Sequence, residues 1–402
     1  MSKRPVLPVI GGICSLIIAM GVSRFAYTPI LPLMKEAIGF SEKTAGILAS
    51  SNYLGYLVGA LLASFINGGA RKQKWLTWTL FINILSVAWM GFSTDYYAWL
   101  FLRFIAGITS GLIFVLTSSI LLDILAAKGR LTWVGFFYSG VGIGIFMTGL
   151  VVPLLDSFFG WRGAWFSLAI ISLFLGFVVL FTLKDDNHSM IETFNTSNIE
   201  AGKGKIANFL PWLIIAYGLE GLGYIVSATF IVDIVKGIPS LSQYAALSWV
   251  FVGIAAIPST FLWVKLGERF GYINALNIAL LIQAVGVVLP VIMFNASGAL
   301  VGAFLFGATF MGITSLATSY ARELQPRNSN LVIGIMTTIY GIGMVIGPIA
   351  AGVLVAKYGQ YTIALGLASG VLLLAVIVLI VGRVFIKNIN KRKEDVYAIR
   401  KY

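Results

Sequence analysis

Arg24 and Glu220 are the two residues whose type and setting point most directly to chemistry. Arg24 stands in Gly21-Val22-Ser23-Arg24-Phe25-Ala26-Tyr27-Thr28-Pro29, inside an apolar segment where no other residue from Val6 to Met34 is charged. Glu220 falls at the centre of a second apolar segment, 209–232. At membrane depth an ionised side chain costs at least ~2.5–3.5 kcal/mol, so it must face protein, water or a ligand. The planar guanidinium fork suits carboxylate or phosphate. Burial favours the protonated form of a carboxyl group, whereas a nearby arginine favours the ionised form. Three readings are open: a structural Arg24–Glu220 ion pair, proton exchange at Glu220 tuned by Arg24, and direct binding of an anionic substrate by Arg24.

Tyr27 and Thr28 share the helical face of Arg24 at i+3 and i+4, and Tyr224 shares that of Glu220, with Tyr217 one turn earlier. Asn52, Tyr53, Tyr56, Tyr138 and Tyr340 add polar edges from other segments. Packing or interface anchoring is the alternative for every one of these tyrosines, and helix bridging is the alternative for Asn52, Asn83 and Gln283. The only histidine, His188, lies outside the apolar segments, which excludes a histidine proton relay within them. The single cysteine, Cys14, allows neither an internal disulfide nor a thiolate metal cluster. No metal-ligand spacing, nucleophile triad or G-x-x-x-x-G-K-[ST] loop occurs, so neither a cofactor nor ATP hydrolysis is expected.

The elements that must position these residues are membrane helices. The 402-residue chain is 59% hydrophobic and 11% charged, with a mean hydropathy of +0.94. Soluble domains carry roughly 25% charged residues. Twelve apolar segments, at 6–34, 44–66, 75–93, 98–126, 131–153, 163–183, 209–232, 243–264, 272–294, 298–320, 331–355 and 362–385, match the ~20 residues that a span needs. The start Met1-Ser2-Lys3-Arg4 reads as the flank of an uncleaved first helix. With the amino terminus in the cytoplasm, 21 of the 28 Lys and Arg residues fall on the inner side and 5 on the outer side, with Arg24 and Arg103 inside spans. That bias places both termini inside. It also makes the net charge of +13 topological, which argues against a nucleic-acid partner.

The polar stretch 184–208 suits a cytoplasmic linker between an amino-terminal six-helix half, 1–183, and a carboxy-terminal half, 209–402, with a basic tail. The halves repeat. A shift of 199 takes Gly135, Gly144 and Gly149 toward Gly334, Gly343 and Pro348, and Phe159-Gly160 to Tyr358-Gly359. A shift of 197 takes Gly21 to Gly218, Tyr27 to Tyr224 and Arg24 to Gly221, beside Glu220. Duplicated six-helix halves point to alternating access around a midplane site.

This plan resembles the major facilitator superfamily over essentially the whole chain. The family's loop motif, G-x-x-x-D-R-x-G-R-K, occurs in two incomplete copies. One has Asn67 in the acidic position followed by Arg71; the other has Glu268-Arg269 without the final basic pair. The resemblance implies that such loops help hold the cytoplasmic gate shut. Arg103-x-x-x-Gly107-x-x-x-Gly111 matches the family's fourth-span arginine motif, with Arg103 expected on backbone carbonyls or helix dipoles. Gly343, Gly347 and Pro348 resemble the glycine-proline motif that the family's antiporters carry in span five; here span five keeps Gly144 but lacks that proline. Asp123 is expected in a cytoplasmic-side salt bridge near Lys128 and Arg130. The Ser23–Met34 run, with Gly223-Tyr224-Ile225 and Ala228-Thr229-Phe230, looks like the YbfB/YjiJ-type branch.

The expectation is an all-α membrane protein of twelve transmembrane helices in two pseudo-symmetric halves, in a bacterial inner membrane and monomeric. It is expected to work as a secondary active transporter. Proton-coupled export of a small organic metabolite or drug-like compound is favoured, with proton-coupled uptake of a small organic anion as the alternative. A non-transporting membrane receptor or scaffold ranks below both, and an enzyme lower still.

Overall fold

The computed structural model describes residues 6–66, 68–130, 133–183, 209–326 and 328–399. Asn67, Arg327 and the expected linker 184–208 therefore lie outside the described residues. No strand occurs among the described residues.

Helix α1, Val6–Ile38, is the first long apolar helix. It is followed by α2, Glu42–Ala63; α3, Gly69–Met90; and α4, Tyr96–Ala127. Residues Val134–Thr182 run without an intervening loop, but Gly160 has φ 66° and ψ 176°, outside the helical region. Glycine carries no Cβ to forbid that conformation. The chain doubles back there, since Phe137 and Thr182 both lie against the Gly11–Gly12 stretch of α1. The run is thus two antiparallel helices, α5 (134–159) and α6 (161–182). After residue 208 come α7, Leu210–Lys236; α8, Leu247–Phe270; α9, Tyr272–Ile292; α10, Ala296–Leu324; α11, Ser329–Tyr358; and α12, Thr362–Ile399.

Ten helical runs, one of them Val134–Thr182, are long and apolar enough to cross a membrane. That run divides in two, and α3, with Arg71, Lys72 and Lys74 at its start, is a further helix of 22 residues. Together these are consistent with twelve spans. Several expected boundaries shift: the first span extends to Ile38, the third starts at Gly69, the eighth runs to Phe270, the expected loop between the fifth and sixth spans shrinks to the Gly160 turn, and α12 continues past 385 to Ile399. Apolar runs mark the hydrocarbon depth, and helices continue beyond it through polar residues. Large apolar side chains such as Phe101, Phe158, Phe174, Phe181 and Ile292 face outward, as a lipid-facing surface requires.

Helices α1–α6 meet α7–α12 along three seams, α1 with α7, α2 with α11 and α5 with α8. The first seam carries the site. Within α1, Ile17–Phe25 is π-helical and α-helix resumes at Tyr27. Pro29 has no N–H to give the carbonyl of Phe25, so the register change ends where the normal ladder could not close. π segments are often found at functional sites.

Candidate functional site

Arg24 lies in the π segment, 3% exposed, and Glu220 is fully buried in α7. They do not form an ion pair, which corrects the first of the sequence readings: Tyr224, one turn after Glu220 on α7, occupies the Arg24 side of the seam. Arg24 Nη2 donates to Tyr224 Oη at 3.1 Å and to Met344 Sδ at 2.8 Å. Its guanidinium carbon sits 4.9, 4.9 and 4.5 Å from the ring centroids of Phe25, Tyr53 and Tyr56. Arg24 Nε has no hydrogen-bond partner among the described residues. Rings and a thioether stabilise a cation weakly compared with a carboxylate, and among the described residues this arginine has no counter-ion.

Glu220 Oε1 accepts from Gln283 Nε2 at 3.3 Å, while Oε2 has no hydrogen-bond partner among the described residues. Tyr340 packs against Gly221, the residue next to Glu220. A crevice of about 10 Å³ adjoins Glu220 between Tyr217, Leu276, Leu280 and Ile313. That is room for one water at most, and both Arg24 and Glu220 are buried.

Tyr224, the partner of Arg24, belongs to a column of nearly parallel rings. Tyr217 stacks on Tyr340 at 4.5 Å and 17°, Tyr340 on Tyr224 at 5.5 Å and 19°, Tyr224 on Phe310 at 6.0 Å and 7°, and Phe310 on Phe306 at 5.5 Å and 7°. Glycines set this spacing. A Cβ at Gly221 would lie 2.5 Å from the Tyr340 carbonyl oxygen, and one at Gly343 would lie 2.7 Å from Gly218 O and Leu222 N.

The remaining candidates have definite positions. Tyr27 and Thr28 diverge rather than share Arg24's face, because the wider π turn breaks the 3.6-residue register. Tyr27 Oη donates to Ala45 O at 3.1 Å on α2, and Thr28 Oγ1 to Ala228 O at 2.7 Å on α7. Tyr53 Oη pairs with Thr229 Oγ1 at 3.1 Å, across the seam. Asn52 Nδ2 donates to Arg103 O at 3.0 Å, bridging α2 and α4. Tyr138 does not reach Arg24; it packs on Phe114, 6.1 Å away, and Phe114 on Tyr56, 6.3 Å away.

Arg103 is buried and donates to the carbonyls of Ser23 at 2.9 Å and Arg24 at 3.3 Å, with its guanidinium 4.6 Å from the Tyr27 ring. It thereby braces the end of the π segment. Asn83 Nδ2 reinforces it through Ser23 Oγ and Thr109 Oγ1, both at 2.8 Å. Gly107 and Gly111 bring α4 against the Asn52 and Tyr56 carbonyls, Gly144 lies on Gly21, and Gly347 packs on α7. The Pro348 carbonyl lies against Gly46 of α2. Asp123 pairs with Lys72 at 3.2 Å rather than with Lys128 or Arg130, because the start of α3 lies alongside α4 there. Arg71 is exposed. Glu268 lines a cavity of about 490 Å³ with Tyr272, Tyr320, Glu323 and Arg383, away from Arg24, and Arg269 lies over the Phe270 ring.

Sequence reasoning did not single out Met344, Phe306 and Phe310, or a polar group where α1 and α7 end. There Lys35 Nζ donates to Asp233 Oδ2 at 2.7 Å and to Glu42 Oε1 at 3.0 Å, Tyr361 Oη donates to Asp233, and Lys236 pairs with Glu36. A signal existed: the 197-residue shift that relates Tyr27 to Tyr224 also takes Glu36 to Asp233.

The family described as uncharacterised MFS-type transporter YbfB matches residues 16–380. The chain belongs to this family. As a major facilitator protein it is similar to the uncharacterized MFS-type transporter YcaD of Escherichia coli O6:K15:H31 (strain 536 / UPEC). The two are 21% identical over 374 residues, 91% of this chain and 93% of that protein. YcaD of Escherichia coli O17:K52:H18 (strain UMN026 / ExPEC) is 22% identical over the same shares. Among solved structures, a mutant of the nucleoside transporter NupG superposes with a TM-score of 0.75 at 15% identity, covering 94% of this chain and 99% of NupG. The POT family transporter PepTSo superposes with a TM-score of 0.72 at 14% identity, covering 96% and 99%. At those identities the likeness shows the major facilitator fold. The chain is therefore a multi-pass MFS-type membrane transporter, of a family that moves solutes rather than transforming them.

Proposed function

We propose that this MFS-type transporter is proton-coupled and carries a small organic anion through Arg24, with Glu220 as the proton carrier. The supporting observation is the state of Arg24. A buried guanidinium with no carboxylate partner, one unpartnered N–H and a thioether as acceptor is arranged for an anion that arrives from outside the protein. Charge-assisted bonds to an incoming carboxylate are roughly twice as strong as the neutral ones they replace. Glu220 sits apart from it, with one free oxygen.

On this reading residues 1–183 and 209–402 are two halves that rock about the seams, working as a monomer. With the basic end of the bundle in the cytoplasm of a bacterial inner membrane, the Lys35 end faces outward and is closed here. An anion that binds together with a proton suits uptake by symport. A second reading, proton-driven export of a metabolite or drug-like compound, draws on the glycine-proline element of α11, whose Pro348 carbonyl meets Gly46 at the α2 seam.

Flux into proteoliposomes under an imposed pH gradient tests both, with organic anions and amphipathic cations as probes. Accumulation of anions driven by an inward proton gradient is expected, and it should be lost in Glu220→Gln. Flux driven only by an opposing gradient would select export. No flux under either gradient, or unchanged anion affinity in Arg24→Ala, would overturn the anion reading.

A further inference from the structure

We infer that Tyr224 and Tyr340 are positioning residues that couple occupancy at Arg24 to protonation at Glu220, so that cargo and proton bind together. The inference rests on the roles given to Arg24 and Glu220 above and adds the connection between them.

The connection starts with a closed triangle at the α1, α7 and α11 junction. Arg24 Nη2 donates to Tyr224 Oη, and both Arg24 and Tyr224 donate to Met344 Sδ, the latter at 3.2 Å. Met344 lies one turn beyond Tyr340 on α11. The Tyr340 ring is stacked on that of Tyr224, and Tyr340 packs against Gly221, the residue next to Glu220. The glycine contacts at Gly221 and Gly343 hold α11 in register on α7, so Tyr340 cannot slide away from either neighbour. The path therefore runs from Arg24 through the Tyr224 phenol and the stacked Tyr340 phenol to the Glu220–Gly221 step of α7, with no Arg24–Glu220 ion pair beside it.

The sign of the coupling follows from charge. An anion on Arg24 displaces the weak thioether and phenol acceptors and cancels the positive charge felt along the phenol path. Loss of that charge makes proton binding at Glu220 more favourable. By linkage, a proton on Glu220 tightens anion binding by the same factor. A tyrosine stack that only fills space would leave this dependence unchanged when the hydroxyls are removed, because the rings are kept.

The test measures the affinity of the full-length protein for the anion that wild type transports best, across a pH series, by thermal shift or direct binding. Wild type is expected to bind roughly 5–150-fold more tightly on the acidic side, the range of typical couplings. Tyr340→Phe and Tyr224→Phe keep the ring column and are expected to flatten that pH dependence, whatever happens to affinity itself. PH dependence equal to wild type in both phenylalanine variants, with Glu220→Gln flat, would overturn the phenol path alone. Persistence of the dependence in Glu220→Gln would overturn Glu220 as the proton carrier. Absence of anion binding by wild type would overturn the anion reading, and the coupling with it.

Discussion

The two ends of the helix bundle are held by different means. At the Lys35 end, charged groups reach across from one set of helices to the other: Lys35 to Asp233, and Lys236 to Glu36. At the Asp123 end the ion pair found, Lys72 to Asp123, stays within the first set, and among the described residues no ion pair crosses. Packing follows the same gradient. Along the α2–α11 seam, contact runs from Gly46 on Pro348 through Ser50 on Val345 to Leu57 on Gly341, while a Cβ at Gly334 would meet nothing within 4 Å. Along α5–α8, the nearest contact of a Cβ at Gly142 is 2.6 Å, and at Gly135, nearer the Asp123 end, 3.8 Å. The bundle is thus sealed at one end by backbone approach and crossed charges and loosens toward the other. A transporter that alternates needs such a seal to be breakable.

The backbone contact should matter most. A Cβ at Gly46 would lie 2.2 Å from the Pro348 carbonyl oxygen, which cannot move as a side chain tip can. Gly46→Leu is therefore expected to part α2 from α11, at the ~1–3 kcal/mol typical of overpacking. In a Ser50→Cys background, labelling by a membrane-impermeant maleimide should rise by roughly 5–150-fold, the span that such an energy covers. Cys14 is buried and adds little background. Unchanged labelling would show that the seam is not the barrier at this end.

Next comes the ionic part. Asp233 takes both Lys35 and Tyr361, so Asp233→Asn removes one ion pair and weakens a second contact. The pair is partly buried, which places its worth between the ~0.2–1 kcal/mol of exposed pairs and the ~3–5 kcal/mol cost of breaking a buried one. Labelling at Ser50→Cys is expected to rise about tenfold, equivalent to ~1.4 kcal/mol. Combining Lys35→Asp with Asp233→Lys should restore it partly; failure of both results would detach the seal from charge. Lys236→Ala should act in the same direction but weakly. Its partner Glu36 is 70% exposed, and exposed pairs contribute ~0.2–1 kcal/mol.

Helix existence was legible in the sequence because hydrocarbon depth demands long apolar runs, and Arg24 stood out because it interrupts one. The Gly160 turn was legible only as a short loop, since the chain turns at one positive-φ glycine and Asp156, Ser157 and Arg162 lie within the helices on either side. The π segment left no signature in hydropathy periodicity, and for that reason Tyr27 and Thr28 were expected on one face but diverge. Nor does periodicity reveal that Met344, an ordinary apolar residue, is the acceptor for Arg24. The repeat brought Arg24 and Glu220 to matching positions, but matching position is not contact, and Tyr224 took the place the carboxylate was expected to fill. The same shift pairs Glu36 with Asp233, yet each acid finds its lysine in the opposite set, a reciprocity visible only in three dimensions.

The smallest effect belongs to the other end. Lys72 and Asp123 lie on α3 and α4, so their pair ties the first set to itself and spans no moving seam. Lys72→Ala should therefore leave Ser50→Cys labelling within about twofold of the parent while lowering thermal stability slightly, in keeping with a pair worth ~0.2–1 kcal/mol. Asp123→Asn should behave alike. A large rise in labelling in either variant would mean that the Asp123 end is coupled to the seal through the body of the first set. The contrast between the ends would then be one of degree, with the first six helices transmitting strain along their whole length.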